Sequence, residues 1–154
     1  MLRALDVAEY VLLLALEEVG EVITNLKLQK LVYYAQGFCL ALRGHPLFEE
    51  TIEAWEHGPV IPELYEHYKK YENEPIPKPT ELNYSKFDDE TRELLNEVYK
   101  VYGQYSASGL RTLTHEESPW EDTQRGKVIS HELMRDFFAT QIINEPRQET
   151  ESQT

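Results

Sequence analysis

The chain has 154 residues, 41% of them hydrophobic, enough for one domain with a sizeable core and too many for global disorder. Its 28 acidic residues outnumber the 15 basic ones, for a formal net charge of −13. That balance disfavours direct DNA binding, where Lys and Arg must displace counterions from phosphates, and disfavours anionic membrane surfaces.

Cys39 is the single cysteine, which excludes an intrachain disulfide and a multi-cysteine zinc site and fits a reducing cytoplasm. The apolar run at 11–16 is flanked by acids and is too short to span a membrane. It also lacks the basic start and cleavage site of a signal peptide. The reading is a soluble cytoplasmic protein with no membrane partner.

Asp6 opens the first helix, with Glu9 at capping-box spacing. Val7, Val11, Leu13 and Leu14 give it a broad apolar face, and Gly20 stops it. Thr24 caps the second helix. Leu28, Leu31, Val32, Ala35, Phe38, Cys39 and Leu42 then recur at three and four, until Gly44. Tyr33 and Tyr34 widen that face, so this helix is expected at the centre of the domain.

The next segment alternates. Ile52, Ala54 and Glu56 interleave with Glu53 and Trp55, and Gly58-Pro59 ends the run. Pro62 suits the first turn of a third helix, faced by Leu64, Tyr65 and Tyr68. Pro75, Pro77 and Pro79 make 72–86 an extended connection. Asp88 or Asp89 caps a fourth helix bearing Leu94, Leu95, Val98, Tyr99 and Tyr102, and Ser106 caps a fifth with Leu110 and Leu113. Ser118, Pro119 and Glu121 read as cap, first turn and box of a short helix. Ser130 caps the last helix, with Ile129 placed to staple against Met134 and with Leu133, Phe137 and Phe138 as anchors. The expected fold is mainly α: a compact single-domain bundle of about six or seven helices with a small β element near residues 48–60. The domain is read as 1–143, followed by a polar, disordered tail at 144–154.

No residue pattern carries catalysis. The five histidines, His45, His57, His67, His115 and His131, include no pair at the helical spacing of four that zinc needs. His115 beside Glu116 and Glu117 reads as a solvated face more readily than as a ligand group. There is no glycine-rich phosphate loop and no G-x-S-x-G elbow. Cys39 lies in the apolar stripe of the second helix and reads as a structural thiol. No catalytic, metal or cofactor-binding residue is therefore assigned, and the protein is read as not an enzyme. Ten tyrosines are the other unusual feature. Seven of them, from Tyr33 to Tyr105, are helical neighbours that suit either the edge of a core or a protein-binding surface.

Several segments occur together in one order. Lys27-Leu28-Gln29-Lys30-Leu31 runs into Tyr33-Tyr34-Ala35-Gln36-Gly37. Pro46-Leu47-Phe48 and Ile52-Glu53-Ala54-Trp55 follow, then Gly58-Pro59-Val60 before a helix holding Tyr65. Leu113-Thr114-His115-Glu116 and Ser118-Pro119-Trp120 close the series. Over residues 24–140 the chain resembles the Panacea domain, the SocA-like antitoxin domain also known as the phage-associated GepA family.

The resemblance implies an antitoxin that neutralises a cognate toxin by direct protein binding, with no cofactor. It also implies two alternatives: a proteolytic adaptor delivering a partner to a AAA+ protease, or a phage-associated binding module without a toxin. Some members carry an extra DNA-binding domain. Here the first helix starts almost at once, so transcriptional autoregulation is not expected. Self-association is left open. Leu28, Leu31, Tyr34, Gly58, Pro59, Val60, Ser118, Pro119 and Trp120 are read as scaffold, with Gly58-Pro59 as a sharp break and Trp55 pinning the extended arm. An exposed set of Gln29, Lys30, Trp55, His57, Tyr65 and Tyr68 is expected to contact the partner.

Overall fold

Helix α2 (Asn25–Arg43) is the axis of the molecule in the computed structural model, which describes residues 1–16 and 22–143. The expected Gly20 stop and the 144–154 tail lie outside the described residues. Thr24 caps α2, its side chain accepting from the Lys27 N–H at 3.4 Å. Gly44 ends it at φ 79°, a left-handed conformation that glycine adopts without a Cβ clash, and its N–H returns to the Leu40 carbonyl. Almost every residue of α2 from Leu28 to Leu40 is buried, including the polar ones.

Six further helices complete the described bundle: α1 (Ala4–Leu16), α3 (Pro62–Tyr68), α4 (Asp89–Tyr102), α5 (Ala107–His115), the single turn α6 (Ser118–Glu121) and α7 (His131–Ile143). The expected mainly α fold is the observed one. Helices α1, α3, α4, α5 and α7 all pack on α2, with α7 the most extensive neighbour. That approach is close because of Gly37. A Cβ built there would lie 2.2 Å from the Phe138 ring of α7, so only glycine lets the ring sit on the α2 backbone. Tyr33, Tyr34, Phe38 and Phe138 form an aromatic cluster at this crossing, and Tyr102 of α4 stacks on Tyr34 at 4.0 Å.

The small β element is a hairpin, β1 (Glu53–Trp55) and β2 (Gly58–Val60), antiparallel with Ala54 opposite Pro59. The segment before α7 runs along the other edge of β1. The Ala54 N–H donates to the Lys127 carbonyl, and the N–H groups of Gly126 and Ile129 donate to Ala54 and Ile52. The edge that β1 would otherwise offer to solvent is thereby paired.

Three local expectations are corrected. Asp6 is not the N-cap of α1. It sits in the first turn and reaches back to the Arg3 N–H at 2.9 Å, so the helix starts two residues earlier. Gly58-Pro59 is not the break after the arm. Glu56-His57 makes the turn, and Gly58, at φ 118°, opens the returning strand. Ser118 is the first residue of α6 and not its cap. Glu117 takes the cap position, but its side chain points elsewhere. The caps at Asp88, Ser106 and Ser130 are as expected, each accepting from an N–H three residues on.

Candidate protein-binding face

Residues Asn25, Gln29 and Gln36 stand four and then seven apart on α2, so they share one face of the helix. All three are buried, and each is hydrogen-bonded to a segment outside the helix or to its neighbour. Gln29 Oε1 accepts from the Ile61 N–H at 2.9 Å, while Gln29 Nε2 donates to Asn25 Oδ1 at 2.8 Å. Asn25 Nδ2 donates in turn to the Tyr65 carbonyl. Gln36 Oε1 accepts from Leu47 N–H at 2.7 Å, and its Nε2 donates to the Phe48 carbonyl at 2.8 Å. Buried backbone groups must find partners, and these side chains supply them to loops that have no ladder of their own.

Lys30 belongs to the same system. Its Nζ donates to the Pro59 carbonyl of β2 at 3.2 Å, and its residue is fully buried. Burial, with the Arg111 guanidinium as a smaller contributor, lowers the ammonium from 10.5 to about 7. Gly58 gives the chain room to pass: a Cβ there would lie 2.6 Å from Lys30 Cε.

Glu117 is the opposite case. Its Oε2 accepts from the Tyr34 hydroxyl at 2.9 Å. Burial raises its carboxyl from 4.5 to about 7, a shift the Tyr34 hydrogen bond partly opposes and nearby Glu116 increases. Burial likewise pushes the Tyr33 and Tyr34 hydroxyls far above their ordinary range. Cys39 is fully buried, its thiol raised by desolvation, with Sγ donating to the His45 carbonyl at 3.3 Å. No group of three or more His, Cys, Asp or Glu side chains among the described residues could hold a metal ion.

Outside this buried frame, the hairpin carries an aromatic rim. Trp120 Nε1 donates to the Trp55 carbonyl at 2.6 Å. His115 Nε2 contacts the Glu56 carbonyl at 2.8 Å, and its ring meets Trp120 edge-on. Arg125 lies 3.6 Å over the Trp120 ring. The Trp55 ring packs on Tyr65 of α3 at 5.2 Å, with its indole N–H donating to Glu53. Trp55 and Tyr65 are partly exposed, and His57 at the turn is exposed.

The expected exposed set therefore divides. The structure leaves Trp55, His57 and Tyr65 at the surface of the hairpin and α3. It buries Gln29, Lys30 and Tyr68, so these three are not an exposed contact set. The first two hold the hairpin from below, and Tyr68 is part of the core. Sequence reasoning missed His115 as a member of the rim because Glu56 is 59 positions away, and missed Arg125 because it lies in an irregular turn with no periodic pattern. It did have the signal for the polar frame, since Asn25, Gln29 and Gln36 fall on one face at helical spacing.

These features define a mainly α-helical domain in which a buried polar stripe on the central helix holds an aromatic-rimmed hairpin at the surface. The chain belongs to the SocA-like antitoxin family: residues 28–121 match the family model described as "Antitoxin SocA-like, Panacea domain". It is 33% identical over 115 residues to Antitoxin SocA from Caulobacter vibrioides (strain NA1000 / CB15N), a match spanning 68% of this chain and 61% of that relative. No solved structure gives a significant match. Among the described residues, no helix is long and apolar enough to cross a membrane.

Proposed function

We propose that this protein is an antitoxin that neutralises a cognate toxin by direct protein–protein binding, without catalysis. The observation that carries this reading is membership of the SocA-like family together with the make-up of the hairpin face. Trp, Tyr, His and Arg side chains are grouped around a hairpin that α2 holds by buried hydrogen bonds at Pro59 and Ile61 and that Trp120 ties at the Trp55 carbonyl. Rigid aromatic anchors of this kind bind protein surfaces at low entropic cost.

In this reading Trp55, His57 and Tyr65 contact the toxin, with His115, Trp120 and Arg125 beside them. Gln29, Lys30 and Tyr68 act by keeping that face in shape. The test is growth of cells expressing the adjacent gene product, with and without this protein. Relief of toxicity, a co-purified complex and an unchanged toxin half-life support masking by binding. A neighbour that is harmless alone removes the two-gene reading. A toxin whose half-life shortens in the presence of this protein points instead to delivery to a AAA+ protease.

A further inference from the structure

A groove of about 680 Å³ opens between α2, α4 and the end of α7, away from the contacts that hold the hairpin. Its floor is apolar: Phe38, Leu42, Leu94, Val98, Val101 and Ile142 line it. Leu42 is 57% exposed although it continues the apolar stripe that is otherwise buried on α2. Phe38, Leu94 and Val98 are buried at the bottom of the groove and Val101 and Ile142 are half-buried, so Leu42 stands as an uncovered apolar side chain at the edge of a concave apolar floor.

The rim is acidic. Glu90, Glu93 and Glu97 stand three and four apart on α4, so they form a line beside the apolar line of Leu94, Val98 and Val101. Arg43 is the one basic residue among those lining the groove, and it is engaged by Thr91, Asp88 and Glu90. Glu93 and Glu97 are exposed and have no ion pair among the described residues.

These observations select the occupant. Residues 144–154 contain no Leu, Ile, Val, Met or aromatic side chain, so they offer no row of apolar side chains to fill the floor. A second copy packed about a two-fold axis would set one acidic rim against another, in a chain already at −13. A strand would need a free sheet edge, and the groove is built from helices. The rim from Glu90 to Val101 is about 16 Å long, or roughly three helical turns.

We propose that this groove binds an amphipathic helix of a partner protein, with Leu-like residues on one face and Lys or Arg flanking them. This deepens the antitoxin reading, and rests on it, in giving the chemistry of a toxin segment that docks on a second face, apart from the hairpin. The binding itself can be tested without a toxin.

The probe is a fluorescent amphipathic peptide of about 14 residues, made of Leu and Lys at helical spacing, titrated into the full chain. A Leu/Glu peptide of the same pattern is the control. The expected result is saturable 1:1 binding of the Leu/Lys peptide. Glu93→Lys with Glu97→Lys, and separately Leu42→Glu, should each weaken it by about tenfold or more. The same charge reversal on α3, Glu63→Lys with Glu66→Lys, should leave it within about twofold. Equal loss in the α3 variant would mean attraction by net charge alone and would sink the proposal, as would Leu/Glu binding of similar strength. Failure here leaves toxin neutralisation through the hairpin standing, because growth rescue does not depend on this peptide.

Discussion

Lys30 Nζ and the Pro59 carbonyl meet at 3.2 Å inside the protein, joining the central helix to the returning strand of the hairpin. The contact places a titratable amine where its charged form is poorly solvated. Glu117, bonded to Tyr34, does the same for a carboxyl.

Their effects on stability have opposite signs. Lys30 titrates at about 7 in the fold and 10.5 in the unfolded chain, so the unfolded chain binds more protons between those values. Stability therefore rises with pH from about 7 toward 10.5, by on the order of 4–5 kcal/mol from this group. Glu117 titrates at about 7 in the fold and 4.5 unfolded, so its contribution falls as pH rises from 4.5 to about 7, by on the order of 3 kcal/mol. Denaturant melts across pH should show Lys30→Met removing the alkaline rise and Glu117→Gln removing the acidic fall. If each variant differs from wild type by the same amount at every pH, these groups do not titrate as described.

Gly58 combines a φ of 118° with Lys30 Cε only 2.6 Å from the place a Cβ would occupy. Gly58→Ala should cost about 2–3 kcal/mol through backbone strain and overpacking together. Gly44→Ala has a left-handed φ but nothing within 4 Å of its Cβ, so it should cost only about 1 kcal/mol. Thermal melts of the two variants compare these directly, and equal losses would rule out the contact with Lys30 as the cause.

Gln36 satisfies the backbone of Leu47 and Phe48 from within the core. Gln36→Leu keeps the volume but strands those groups, at an expected cost of about 2–4 kcal/mol. Amide exchange at Leu47 should accelerate more than exchange at the middle of α2. Unchanged protection at Leu47 would show that the amide does not depend on this bond.

The surface and the frame can be separated by mutation. His57→Ala and Tyr65→Ser should leave the melt within about 1 kcal/mol of wild type and weaken a toxin complex by about tenfold or more. Tyr68→Ala, which empties a core site, should instead lose about 3 kcal/mol or more of stability. Neutralisation that survives both surface changes would move the interface off the hairpin.

Most helix ends are legible in the chain because their physics is local, although Asp6 and Gly58-Pro59 are not the cap and the break that their local patterns suggest. Caps at Thr24, Asp88, Ser106 and Ser130, the glycine stop at Gly44 and the proline start at Pro62 all depend on groups within four residues. The stripe on α2 placed that helix at the centre for the same reason. Ser118 misled because a serine before proline has the right local pattern, whereas its neighbour Glu117 is drawn away to Tyr34, 83 residues distant.

The candidate site was legible in part. Trp55, His57 and Tyr65 stand out by residue type and lie wholly or partly at the surface. Gln29, Gln36 and Lys30 lie off the main apolar stripe, a position that suits either contact with neighbouring segments or contact with a partner, and the spacing does not choose between them. In this fold they are buried because the hairpin and the 47–48 loop need hydrogen-bond partners that only a neighbouring element can supply. The sequence by itself determined the helices, most of their ends and the family. Tertiary structure alone decided which polar residues turn inward, which tryptophan meets which backbone, and that Leu42 stays uncovered beside an acidic rim. Those outcomes depend on segments far apart in the chain meeting in space, and spacing along one helix does not encode what lies across from it.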